Sequence, residues 1–231
     1  MTRRADDRAV ALPDAALIQA GAFTMGDGAG RPDERPAHEV HVSAFRIALT
    51  PVTNAQYRHF LDATGHEPPR FWSDDRFNAA DQPVVGVTWF DAVAYCDRLS
   101  RASGARWRLP TEAEREKAAR GGRSDSRDTG LGGDRFAQDA PFAVGRSAPN
   151  GYGLFDMTYN VHEWCADWYD ARYYEASPRS DPRGPATGVR RASRGGAWRH
   201  QVKVTRCGAR SSLDPSFEYN DYGFRVARNV Q

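Results

Sequence analysis

An α+β domain with much irregular chain is what this sequence predicts, and three observations carry the reading. The 231 residues show no composition break that would mark a linker, so one domain is expected over residues 16–231, behind a mobile leader at 1–15. Aromatic residues make up 11% of the chain beside 21 Gly and 14 Pro, a mixture that suits loops anchored by large rings better than long regular elements. Short alternating apolar runs and segments with helix start and stop signals occur in the same chain, so strands and helices must share a core.

Residues 17–25 alternate weakly and end at Gly26, while residues 39–47 alternate clearly through Val40, Val42, Phe45 and Ile47, and each run predicts a strand. His38 and His41, three apart on the second, would point to opposite faces and make a poor metal pair. Thr53 opens a helix as a capping box with Gln56, Tyr57, Phe60 and Leu61 form its apolar stripe, and Gly65 stops it. A second helix starts near Thr88, carries Phe90, Val93, Ala94 and Leu99 at helical spacing around Cys96, and stops at Gly104. A third begins at Thr111 with Glu114 completing the box, directly after Leu109 and Pro110, and ends at Gly121 and Gly122.

From 121 to 150 the chain is Gly, Asp, Ser and Arg with few apolar anchors, a loop long enough to call for a functional or ionic tether. Residues 150–170, NGYGLFDMTYNVHEWCADWYD, then crowd rings among oxygen-bearing side chains. Near the C-terminus, Gly195 and Gly196 allow positive φ or close approach, which would set Trp198, His200 and Cys207 on a surface as a candidate site. The competing reading puts Trp198 in the core, with the glycines only turning a corner. A short apolar strand over 224–227 closes the region.

The net charge of +2 arises from 32 basic and 30 acidic residues, with Arg far outnumbering Lys. That balance implies neither a nucleic-acid nor a membrane partner and names no other; the ligand expected is an unidentified peptide, protein or small molecule. Residues 1–24 lack the apolar run of a secretory signal and no stretch approaches a membrane span, so a cytoplasmic location is expected. Cys96, Cys165 and Cys207 are odd in number and far apart, which argues against disulfides and a thiolate zinc site and makes each a small buried hydrophobe by default.

Several stretches, in order, resemble the formylglycine-generating enzyme, or sulfatase-modifying factor, family: IALTPVTNAQYRHFL from Ile47, PVVGVTWFDAVAYC from Pro83, RLPTEAEREKAARGG from Arg108, NGYGLFDMTYNVHEWCADWYD from Asn150, then RGGAW and DYGFRVAR. The resemblance covers nearly the whole chain from about Gly21 to Arg228. It implies a single complex α+β domain of the C-type-lectin-like kind. It also implies a structural calcium ion, for which Asn160 and Glu163 would supply hard oxygen ligands. Where the family has Gly before this Asn and Trp two after it, the chain has Tyr159 and His162.

Family enzymes oxidise a substrate cysteine with oxygen, using two cysteines shortly after the RGG turn to hold copper(I), a soft ion that soft thiolates select. Between Gly195 and Arg206 this chain has no cysteine, and Cys207 falls beyond the expected pair, beside Ala209, Arg210 and Ser211. Copper is therefore not expected, and conversion of cysteine to formylglycine is not expected either. His162, His200 and Glu163 would supply two imidazoles and one carboxylate for iron. The expected function is that of an oxygen-using oxidoreductase with chemistry around Trp198, His200, Cys207 and Arg210, or else a non-catalytic binding or accessory module using the same groove.

Overall fold

In a computed structural model that describes residues 12–123, 139–199 and 205–230, the described residues form two four-stranded sheets, a two-stranded ribbon and three α-helices. Most of the expected leader and the middle of the long 121–150 loop lie outside the described residues, and Ala15 already pairs with Ala48. The first alternating run is two strands, β1 (Ala15–Ile18) and β2 (Gly21–Met25), and so is the second, β3 (His38–Val42) and β4 (Phe45–Ala48). The splits follow from pairing. β1 runs antiparallel to β4 and β2 to β3, so each run must break to pass from one sheet to the next.

Side chains hold both breaks. Lys117 Nζ donates to the carbonyls of Gln19 and Gly21 at 2.8 and 2.9 Å. At the other break the amide and hydroxyl of Ser43 each donate to the Asp181 carboxylate at 2.7 Å. On β3, His38 shares a face with the buried Val40 and Val42 while His41 lies exposed on the other, as the period of a strand requires.

The helices α1 (Asn54–Thr64), α2 (Trp89–Ser103) and α3 (Glu112–Arg120) each begin with a complete capping box, on Thr53, Thr88 and Thr111. Each ends on a left-handed glycine, Gly65, Gly104 or Gly121, at φ of 68°, 70° and 59°. Caps of this kind contribute about 1 kcal/mol each. α1 and α2 pack through rings, with Tyr57 stacked on Tyr95 at 5.9 Å and both edge-on to Phe224. α3 is unlike them, because all nine of its residues are buried although six are charged.

The C-terminal half forms the second large sheet, in the order β8 (Ser211–Leu213), β7 (Arg191–Arg194), β6 (His162–Trp168), β9 (Tyr222–Phe224), with β6 and β9 parallel. The chain then returns as β10 (Ala227–Asn229) between β4 and β5 (Trp107–Arg108), which ties its end to its beginning. The strand expected over 224–227 is thus the end of β9 and the start of β10, with Arg225 turned inward between them. All three cysteines are buried and unbridged. Among the described residues no helix is long and apolar enough to cross a membrane.

Candidate functional site

β7 delivers the RGG turn. Gly195 and Gly196 have φ of 99° and 69°, and a Cβ on Gly195 would meet Arg115 Nη2 at 3.1 Å, so both the conformation and the space call for glycine. Arg194, 1% exposed, grips what surrounds the turn. Its Nη1 donates to the carbonyls of Ala209 and Cys207 at 2.8 and 3.2 Å, its Nη2 meets Glu116 and the Tyr174 hydroxyl, and its Nε lies 3.1 Å from Glu112. One guanidinium therefore fixes β7, α3 and the chain returning after residue 205.

Trp198 is 9% exposed and packs with Phe77, Val85, Tyr159 and Val161, so the core reading of this tryptophan holds for most of its ring. Its amide donates to the Asn160 carbonyl at 2.9 Å, and Tyr159 donates its hydroxyl to the Trp198 carbonyl. Beyond it, Arg199, with 44% of its side chain exposed, pairs at 2.7 Å with Asp221, which is 1% exposed. The next strand along brings His162, whose ring stacks on Tyr222 at 4.7 Å, and the Tyr222 hydroxyl lies 3.3 Å from both Ser193 and Ser211. Asp221, Tyr222 and the two serines were not among the residues expected to carry chemistry, although Ser211 and the DYGFRVAR stretch entered through the family resemblance. The register of parallel β9 against β6 is what collects them, and DYG as a strand start was the available signal.

Of the four residues expected to carry chemistry, the three that are described do not form one constellation. His200 lies outside the described residues. Cys207 is 6% exposed and belongs to the cluster of Ile18, Met25 and Phe45, with its Sγ 3.5 Å from the Ala119 carbonyl. Arg210, 2% exposed, is drawn into the interior by a two-pronged pair with Glu112 at 2.8 and 2.9 Å, where it also lies over the rings of Tyr174 and Tyr169. Burial by itself raises the Glu112 carboxyl, but Arg210 and Arg194 outweigh it and hold the group below the usual carboxylate range.

Glu163 likewise has a different task from the one expected. Fully buried, it meets Arg115 Nε at 2.7 Å and two nitrogens of Arg225 at 3.0 Å. Those guanidiniums reach on to the carbonyls of Met157, Ala48, Leu49 and Phe155. Burial pushes the Glu163 carboxyl up and the two arginines more than reverse this, so it is ionised and already neutralised. Asn160 is occupied as well: its Oδ1 accepts from the Phe142 amide at 2.9 Å and its Nδ2 donates to the Phe142 carbonyl at 3.2 Å.

Asn160 and Glu163 therefore do not fit a shared calcium ion, because a hard cation needs free oxygens and one of these side chains is saturated by positive charge. Neither does the proposed iron set fit. His162 and Glu163 are consecutive on β6 and project to opposite faces, one toward Tyr222 and the other toward Arg115. Tyr159 is not the left-handed residue of the turn that leads into β6. The left-handed residue there is Asn160 itself, at φ 81°, a conformation that asparagine tolerates.

Three comparisons place this arrangement among known proteins. The chain is 36% identical to serine/threonine-protein kinase pkn1 of Chlamydia pneumoniae over 95% of its own length, but it spans only 38% of that protein. It is 34% identical to the formylglycine-generating enzyme of Streptomyces coelicolor, covering 92% of this chain and 88% of the enzyme. PvdO from Pseudomonas aeruginosa has the same fold at a TM-score of 0.84, with 29% identity over 94% of this chain and 95% of that one. Residues 2–230 match the sulfatase-modifying factor enzyme 1-like domain, and with the capped helices, the RGG turn and the buried Glu163 cluster in one frame, the chain belongs to that family.

Proposed function

We propose that this chain is a cysteine-independent member of its family, a binding or accessory module that presents the face around Trp198, Arg199 and Asp221 to a peptide or small-molecule ligand and does not convert cysteine to formylglycine. One observation carries the reading. No thiol lies between Gly195 and Arg206, and the nearest, Cys207, is turned into a separate core cluster against the Ala119 carbonyl. Copper(I) chemistry of the family's kind needs two accessible thiolates with a position left open for a third sulfur. A buried single thiol supplies neither. The occurrence of the domain as 38% of a chain named for a kinase supports a companion role, since there it is one part of a longer protein.

The test is direct. Protein loaded anaerobically with copper(I), then given oxygen and a peptide containing Cys-x-Pro-x-Arg, is expected to leave the peptide mass unchanged. Oxidation of the peptide cysteine that disappears in Cys207→Ser would overturn the proposal and make the chain an oxygen-using oxidoreductase working with one thiolate.

A further inference from the structure

A cavity of about 420 Å³ opens between the β3–β4 turn, the start of α3 and the far end of β6. Its wall includes Asp167, five residues and on the order of 16 Å along the strand from His162. It shares no residue with the Trp198 turn. Asp167 is 4% exposed. Its Oδ2 accepts from the Glu112 amide at 2.9 Å, and among the described residues this is the one hydrogen bond its carboxyl receives. Oδ1 has no protein donor among the described residues and is open to the cavity that Asp167 lines, where a ligand donor can reach it.

The nearby cations are committed elsewhere. Arg108 holds Glu114 at 2.7 Å, Arg210 holds Glu112, and Arg191 lies between the rings of Trp89 and Trp168 at 3.8 and 3.5 Å. None forms an ion pair with Asp167. Glu112 and Glu114 approach it with like charge, and the Asp181 carboxylate lines the same cavity, with Arg183 exposed at the rim.

We propose that this cavity binds a small organic cation through a primary ammonium group, with Asp167 Oδ1 as the anchor in the field of Asp181. The volume suits a group of amino-acid size, and Ala44, Ala166 and Val230 offer apolar wall for an alkyl stem. An ammonium suits the site better than a metal ion, because a hard metal needs several convergent oxygens. Among the described residues no group of three His, Cys, Asp or Glu is placed to hold one. Burial and the charge of Glu112 push the Asp167 carboxyl well above the usual carboxylate range, which favours its protonated form in the empty site. Binding exchanges that proton for the ligand: neutral Asp167 plus alkylammonium gives the carboxylate–ammonium pair and one released proton.

Titration calorimetry of the full chain with 1,5-diaminopentane at pH 7.5, in HEPES and in Tris, tests this. Expected are saturable one-to-one binding, release of up to one proton read from the buffer dependence of the heat, and affinity at least tenfold weaker in Asp167→Asn. That variant keeps an acceptor for the Glu112 amide and the neutral state of the side chain. Arg183→Ala, which removes a positive charge from the rim, is expected to bind as well or more tightly. Ala44→Phe provides a second check that keeps the carboxyl and fills the cavity, and it too is expected to lose binding. Absence of saturable binding, equal affinity in Asp167→Asn, or tighter binding of glutarate than of the diamine would each overturn the proposal.

Discussion

Glu163→Gln is the substitution that separates a calcium ligand from a buried counter-ion. The carboxylate lies between Arg115 and Arg225, whose side chains are 1% and 0% exposed, and its oxygens meet guanidinium nitrogens at 2.7 and 3.0 Å. Glutamine preserves the volume and one acceptor, but it turns an NH₂ donor toward guanidinium donors and leaves two positive charges without a balance. Removing one partner of a buried pair costs roughly 3–5 kcal/mol, and here one carboxylate serves two arginines, so the upper end applies. Against a total stability of about 5–15 kcal/mol that is a large share. For a chain of this size it corresponds to a fall in Tm on the order of 10 °C or more.

Urea and thermal unfolding of parent and variant, each with calcium and with chelator, give the result. The expected outcome is a large loss in Glu163→Gln that is the same in both solutions. A variant within about 1 kcal/mol of the parent, together with a parent that loses stability on chelation, would refute the buried counter-ion and restore the cation.

Asp167 gives the opposite pH behaviour from Glu163. Its folded pKa is raised, so the folded protein keeps a proton that the unfolded chain releases near pH 4, and stability falls as pH rises from there toward the folded value, by about 1.4 kcal/mol per unit. Asp167→Asn is expected to remove that slope and to be at least as stable as the parent at pH 7; urea curves from pH 5 to 8 that run parallel for the two proteins would contradict this. Glu163 and Glu112 have lowered folded values, so their contribution is present above the ordinary carboxylate range and is lost as pH falls below about 4. Among the thiols, Cys207 at 6% exposure is expected to label before Cys96 and Cys165 at 2% and 0%, and burial pushes the thiols of both the latter up. Mass-resolved labelling of native protein reads the order, and early modification of Cys96 would remove it from the interior of α2.

What the sequence made legible was local. Thr53, Thr88 and Thr111 with their glycine stops define all three helices because a cap is a contact within three residues of itself. The strands were found but not their breaks, since the reason to break after Ile18 is the pairing of β1 with a strand some 30 residues later. The site residues fared worst because their partners are remote: Glu163 meets arginines 48 and 62 residues away, and Arg210 meets a glutamate 98 residues away. A signal did exist. All but Lys117 and Lys203 of the 32 basic residues are arginine, the side chain suited to buried, many-pronged pairing. α3 also offers alanine alone as apolar surface, yet it sits between Leu109-Pro110 and a double glycine as a core helix would.

Buried ion pairs tie the elements around the RGG turn together. Arg194 joins α3 through Glu112 and Glu116 to the carbonyls of Cys207 and Ala209, and Arg115 and Arg225 join α3 and the β9–β10 link through Glu163. The position of the RGG turn is therefore set before any ligand arrives. Within that frame Cys207 and Arg210 are interior parts, whereas Arg199 keeps 44% of its side chain exposed beside the buried Asp221. Substitution at Arg194 would release the turn from its anchor.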